Sequence, residues 1–342
     1  MDDLVLPKSL LPKLITALLT RYQVFSPVDD DGVTMFRKIK DASELTVDFL
    51  NSSVPPKAIF FDQTETLFKF HLGRRPTVDP SDTDNGERII FGIRPCDAGS
   101  LTVLDRVFEG DYEDPYYLSK RKNTILLGLS CTRPGVNCFC TSLDGSPASG
   151  KNMDVLLTDC GEEYYAEIIS ENGRQLIASA NGLFAPATER DVKDKEKVVR
   201  SAIASITRTV NVDGIEKKLD RIFDSDFWRS AALKCLGCGI CTYLCPTCHC
   251  FDIQDETAIT EGARVRVWDS CMYPEYTLQS SGYNPRPERM NRLRNRVYHK
   301  YNYFPQNHGK IACVGCGRCV DNCPVNVDII SIITGAGLLK HE

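Results

Sequence analysis

Two cysteine runs with the same internal spacing constrain this chain more than any other feature. Cys235, Cys238, Cys241 and Cys245 form C-x-x-C-x-x-C-x-x-x-C with Pro246 behind them. Cys313, Cys316, Cys319 and Cys323, followed by Pro324, repeat it. This is the ligand spacing of bacterial two-cluster [4Fe-4S] proteins. Three thiolates must converge on a cubane from one tight loop. Gly237, Gly239, Gly315 and Gly317 supply the positive φ and close backbone approach that such wrapping needs. Each proline then ends its loop by fixing φ and removing a donor.

In such proteins the fourth cysteine of each run ligates the other cluster. The spacing therefore predicts Cys235, Cys238, Cys241 and Cys323 on one cluster and Cys313, Cys316, Cys319 and Cys245 on a second. Zinc is the competing metal for sets of four cysteines, but zinc ribbons use paired C-x-x-C knuckles rather than a triple run and a distant fourth ligand.

The stretch between the runs is far longer than in a small bacterial ferredoxin, which predicts a variant with helices filling the space between the loops. Within it stand Arg286, Arg289, Arg292, Arg294, Arg296, His299 and Lys300. Three readings are open. The cations could stabilise buried anionic clusters, dock an acidic partner, or form a solvated helix face.

The chain has 342 residues and 16 cysteines, a number that disulfides do not explain in a compartment that keeps thiols reduced. Pro7, Pro12 and Lys13 interrupt the apolar N-terminus, whose acidic start does not suit an export signal, and no later window is apolar enough to span a bilayer. An amphipathic N-terminal helix and a cytoplasmic protein are expected. The net charge of -5 offers no general attraction to nucleic acid or an anionic membrane.

Residues 1–190 read as an α/β domain, with strand-like runs at Lys57 to Asp62, Glu65 to Phe70, Arg88 to Ile93, Thr124 to Ser130, Asp154 to Asp159 and Tyr165 to Ser170. Leu101, Leu104, Val107 and Phe108 recur at helical spacing, with Asp97 placed to cap the first turn, which completes a βαβ unit. Residues 191–230 read as two connecting helices. Residues 231–342 then form a mainly helical two-cluster ferredoxin domain.

Cys96 lies just past one strand of the βαβ unit and Cys131 just past the next. If those strands are neighbours, both cysteines sit at the carboxyl edge of the sheet, about 5 Å apart laterally. The following TRPGVNCFC loop brings Cys138 and Cys140 to the same edge. A third [4Fe-4S] cluster is the preferred reading; structural zinc and four free thiols are the alternatives.

Cys248 and Cys250 flank His249 shortly after Pro246, and Cys271 sits in WDSCMYP. These three could bind a metal or react with substrate; the preferred reading is buried thiols packing around the clusters. Cys160 has no evident partner. No strand-linked G-x-G-x-x-G, Walker loop or nucleophile motif occurs, so a partner would have to handle hydride, and no catalytic residue is assigned.

The chain resembles the β, or iron-sulfur, subunit of cytoplasmic sulfhydrogenases and the corresponding iron-sulfur component of anaerobic sulfite reductase. The likeness rests on FGIRPCDAGSL, SCTRPGVNCFC, CLGCGICTYLCPTCHCFDI, RVWDSC, NPRPERMNRLRNRVYHK and CVGCGRCVDNCPVNVDI. It implies an electron-transfer role between an FAD- and NAD(P)H-binding flavoprotein and a terminal hydrogenase, sulfite reductase or heterodisulfide reductase-type subunit. It is also consistent with the third cluster on Cys96, Cys131, Cys138 and Cys140. The rival reading makes the chain itself a reductase of a sulfur or disulfide substrate at Cys248, Cys250 and Cys271.

Overall fold

A computed structural model describes residues 3–81, 83–180 and 182–339. The N-terminal region is α/β. Its strands in chain order are β1 (Leu4–Pro7), β2 (Gln23–Asp30), β3 (Val33–Lys38), β4 (Thr64–His71), β5 (Thr77–Pro80), β6 (Arg88–Ile93), β7 (Thr124–Leu129), β8 (Val155–Asp159), β9 (Glu163–Ile168) and β10 (Ala185–Pro186). Eight of them form one sheet in the order β10-β1-β9-β8-β7-β6-β2-β3. The pairs β2/β6, β6/β7 and β7/β8 are parallel and the rest antiparallel.

Alternation along the central strands places two cores on the two faces of this sheet. Ile89 and Phe91 of β6 join Leu14, Ile15 and Leu18 of the amphipathic helix Leu11–Leu19 on one face. Ile90 and Ile93 join Leu101, Leu104 and Phe108 of helix Pro95–Phe108 on the other. Strands covered on both sides read as continuous apolar runs, and β6 is buried at every position.

The run Lys57 to Asp62 is not a strand. Residues Pro56–Ile59 form a 3-10 turn, and Phe60 and Phe61 are fully buried beyond it. Pro55 and Pro56 leave no N–H donors at the start of this segment for a strand ladder.

The ligand-bearing half is not purely helical. Strands β11 (Phe251–Ala258) and β12 (Glu261–Trp268) form a hairpin between the cysteine runs. They complete a second sheet, β11-β12-β4-β5, in which Val267 pairs with Thr64. The hairpin's outer strand is polar and exposed, so its sequence lacks the alternation that marks a half-buried strand. Buried charges fasten the junction: Lys120 Nζ lies 2.7 Å from Glu65 Oε1, while Arg266 pairs with both Glu65 and Asp114.

After the hairpin come helix Arg289–Tyr298, a π-helical turn at His299–Tyr303 and the short helix Phe304–His308. The connecting region contains helices Glu189–Ala204, Ile215–Arg221 and Phe227–Ala232. Among the described residues no helix is long and apolar enough to cross a membrane.

Candidate iron-sulfur site

Both cysteine runs fold alike. Gly237, Gly239, Gly315 and Gly317 all adopt positive φ, between 65° and 77°. A one-turn helix follows in each run, Ile240–Tyr243 and Arg318–Asp321. The turn exposes main-chain donors to sulfur: Val327 N–H donates to Cys323 Sγ at 3.1 Å and Gly237 N–H to Cys235 Sγ at 3.4 Å.

One cavity is lined by Cys235, Cys238, Cys241, Cys319 and Cys323, and a second by Cys245, Cys313, Cys316 and Cys319. Each cavity therefore draws three cysteines from one run and at least one from the other. Among the described residues, no three Cys, His, Asp or Glu side chains converge closely enough to hold a single metal ion. Thiolates on different iron atoms of a cubane surround a larger body, which suits cavities of this kind.

Arg296 lines both cavities. Burial opposes its charge, yet the nearby sulfurs of Cys241, Cys319, Cys248 and Cys245 hold its pKa well above the ordinary value. Its Nη2 donates to the Cys241 carbonyl at 3.2 Å, while its buried Nε has no partner among the described residues. An orphaned guanidinium donor facing cysteine-lined space fits an anionic cluster, whose sulfurs accept hydrogen bonds.

One turn further on, Lys300 is also buried. Its Nζ donates to Cys245 Sγ at 3.2 Å, Thr247 Oγ1 at 2.8 Å and the Ala312 carbonyl at 3.0 Å. Burial again works against the charge, and Cys245 and Cys248 overcome it, raising the pKa. Arg292, Arg296 and Lys300 thus form an inward stripe, and the solvated-face reading of these cations fails for them. Arg289 Nη1 caps the Cys235 carbonyl at 2.8 Å, and Arg294 stacks 3.7 Å from the Phe223 ring centre.

In the N-terminal region, β6 and β7 are parallel neighbours. Cys96 opens the helix that leaves β6, and Cys131 follows β7 by two residues. Arg94 ties these strand ends together by donating to the Ser130 carbonyl at 2.7 Å. Cys96, Cys131, Cys138 and Cys140 occupy one neighbourhood. Burial is the main cause raising their thiol pKa values, to about 12 for Cys138 and about 11 for Cys140, and neighbouring sulfurs add to it for Cys96, Cys138 and Cys140. Thiolates in such surroundings require a cation, which metal ligation supplies.

The same loop abuts the second run. Phe139 N–H donates to the Gly315 carbonyl at 2.8 Å, and a Cβ added to Gly315 would meet Cys140 N at 2.5 Å. A Cβ added to Gly317 would meet the Asn137 backbone at 2.9 Å. These glycines bring two cysteine-bearing loops into backbone contact.

Asp97 does not act as a helix cap. It is fully buried and pairs with Arg318 from the second run, and the helix begins instead at Arg94 with Pro95 in its first position. Sequence reading missed this pair, and it also missed Lys57, which donates to the Cys248 carbonyl at 2.9 Å. Neither has a local signature. Cys160 stands apart at the end of β8, where burial raises its thiol to about 11.

The remaining cysteines form a file. Cys248 lies near Cys245 and Cys250, and Cys250 near Cys271, close enough for each thiol to shift its neighbour's pKa. The half-buried His249 packs edge-on against His299 with ring centres 5.2 Å apart, and desolvation lowers its pKa to about 3.

A 4Fe-4S dicluster domain model matches residues 234–327, which span both runs. The beta subunit of sulfhydrogenase 2 from Pyrococcus furiosus is 32% identical over 323 residues, covering 94% of each chain. The chain belongs to the family of sulfhydrogenase beta subunits. Family membership and the dicluster domain make it an iron-sulfur, electron-transferring part of an oxidoreductase that binds [4Fe-4S] clusters. The similarity to the Pyrococcus sulfhydrogenase protein extends well beyond the dicluster domain and takes in the N-terminal α/β region.

Proposed function

We propose that this sulfhydrogenase beta-type chain passes electrons along three [4Fe-4S] clusters, between an NAD(P)H-linked flavoprotein partner and a terminal hydrogenase, sulfite reductase or heterodisulfide reductase-type subunit. The observation that carries this reading is the contiguity of three cysteine sets. The first and second cavities share Arg296 and Cys319, and the second run touches the Cys138–Cys140 loop through Gly315.

The ligand sets are Cys235, Cys238, Cys241 and Cys323; Cys313, Cys316, Cys319 and Cys245; and Cys96, Cys131, Cys138 and Cys140. The clusters supply reversible one-electron storage at potentials that ligands, hydrogen bonds and burial adjust. Arg296 and Lys300 offset the negative charge of the first two sets, and Arg318 lies between the second and third.

The exit is proposed at the first set. Cys238 is exposed, and the neighbouring Leu233 and Leu236 are 77% and 57% exposed. Apolar side chains around an exposed ligand suit a docking partner. The Pyrococcus relative, named as one subunit of a sulfhydrogenase, supports assembly with such partners. Sixteen cysteines, twelve of them assigned here to clusters, fit a compartment that keeps thiols reduced and support a cytoplasmic setting.

The test is metal and sulfide analysis of the anaerobically purified chain, with spectra of paired variants. Three clusters require about twelve irons per chain; about eight irons with zinc would instead make the N-terminal set a structural zinc site. Cys238→Ala and Cys323→Ala should erase the same signal, and Cys245→Ala should share its loss with Cys316→Ala. If Cys323→Ala and Cys316→Ala shared one loss instead, the crossed ligation would be wrong.

A further inference from the structure

Among the described residues nine lysine and arginine side chains are buried, and they divide into two groups. Four pair with a carboxylate. The other five, Lys57, Arg94, Arg292, Arg296 and Lys300, have no carboxylate partner, and each donates to a cysteine or to the residue next to one. A buried cation without a carboxylate requires some other anion.

The five are not equivalent, because of them only Lys300 donates to a sulfur. Its Nζ lies 3.2 Å from Cys245 Sγ. Two further bonds, to Thr247 Oγ1 and the Ala312 carbonyl, hold the ammonium in place, and Thr247 Oγ1 itself donates to that carbonyl at 2.8 Å. Arg296 lines the same cavity. The Tyr301 hydroxyl, fully buried and unpartnered, belongs to the core against which Cys313 and Cys319 pack.

We propose that Lys300, backed by Arg296, makes the second cysteine set the strongest electron acceptor of the chain, so that the first electron to enter rests in the middle of the relay. This rests on the three-cluster reading above and adds an order of reduction to it.

The other two sets hold weaker counter-charges. Arg94 reaches the third set only through the Ser130 carbonyl beside Cys131, and the charge of Arg318 is already matched by Asp97. At the first set Arg289 caps the Cys235 carbonyl from the surface, where water and salt screen it. Water at the exposed Cys238 also favours reduction, but it reaches that ligand from outside. A charge in contact with a ligand sulfur, away from solvent, acts at full strength.

Reduction here adds one electron and one negative charge to the second set; no bond breaks and no proton moves. The electron comes from a neighbouring set, which is reoxidised as it leaves. An acceptor of this kind at the centre suits a partner that releases electrons in pairs: the first is held in the middle while the second is delivered.

The experiment reduces the full-length, anaerobically purified protein stepwise with dithionite in the presence of mediators, and records electron paramagnetic resonance spectra at each potential. Iron is assayed in parallel. The first signal to appear should be lost in Cys316→Ala and kept in Cys238→Ala and Cys131→Ala. Lys300→Met should move that signal to a later place in the order, and Lys300→Arg should leave it first. A first signal lost with Cys238 or Cys131 would overturn the proposal, as would an unchanged order in Lys300→Met. The wild-type order is read without any Lys300 variant, so a Lys300→Met protein that does not fold leaves the test standing. About eight irons together with a Cys316-dependent first signal would fail the third cluster alone, whereas about twelve irons with the wrong order would fail the present inference alone.

Discussion

Arg318 grips both carboxylate oxygens of Asp97, at 2.6 and 2.8 Å, in a pair with almost no solvent exposure. One partner sits in the helix after β6 and the other in the second cysteine run. Arg318 also donates to the Ser52 carbonyl at 2.7 Å and to the Ser52 hydroxyl at 2.9 Å. Asp97→Asn would leave a buried guanidinium without its counter-charge, and losses of about 3–5 kcal/mol are typical of breaking such pairs. Urea unfolding followed by circular dichroism should show a clearly lower midpoint. A wild-type midpoint would mean that water or a neighbouring group already neutralises Arg318.

The second prediction concerns Arg296, which borders two cavities at once. Removing a buried cation beside an anionic cluster disfavours the added electron, so Arg296→Gln should make the reduction potentials of both proposed C-terminal clusters more negative. A unit charge at this range in a partly polarisable interior gives a shift on the order of 100 mV. Potentiometric titration followed by electron paramagnetic resonance measures each cluster separately. Unchanged potentials would assign Arg296 a packing role only.

A third prediction follows from two half-buried imidazoles. Burial is the leading cause that lowers the pKa of His249 to about 3 and of His299 to about 4, against an ordinary 6.5. Both are neutral in the folded protein near neutral pH. Below pH 6.5 the unfolded chain takes up protons that the folded chain refuses, so stability falls as pH drops from 6.5 towards 4. The slope should approach roughly 1.4 kcal/mol per pH unit for each histidine. Unfolding midpoints between pH 7 and 5 check this, and His299→Gln should flatten the dependence. An equal slope in that variant would place the titration elsewhere.

How much of this was legible in the sequence depended on whether the signal was local. The cysteine runs declare their ligand type within a dozen residues, and β6 and β7 announce themselves because both faces are covered. The β2–β3 pair was not anticipated: Ser26 and Pro27 interrupt the first strand, and β3 has no fully buried position. The β11–β12 hairpin was hidden for a related reason, since Asp252, Gln254, Asp255 and Glu256 all face solvent on an outer strand. For Arg292, Arg296 and Lys300 the sequence left cluster, partner and solvent open, because what surrounds Arg296 and Lys300 are sulfurs distant in the chain, and Arg292 donates to the Met272 carbonyl. Asp97 and Lys57 pose the same difficulty: their partners, Arg318 and the Cys248 carbonyl, belong to the other half of the molecule.

The pairing of Thr64 with Val267 also bears on how the protein is made. As the chain leaves the ribosome, β4 and β5 emerge long before the hairpin that covers one side of β4. During that interval β4 presents unpaired N–H and C=O groups along one flank, an invitation to strands of other nascent chains. The first cysteine run is synthesised before the missing strand arrives, whereas the second comes after it. Both proposed C-terminal ligand sets draw on the second run, so neither is complete until after the sheet can close, and a translation pause or a truncation just beyond Cys245 would release a chain with a sticky edge and half its C-terminal ligands.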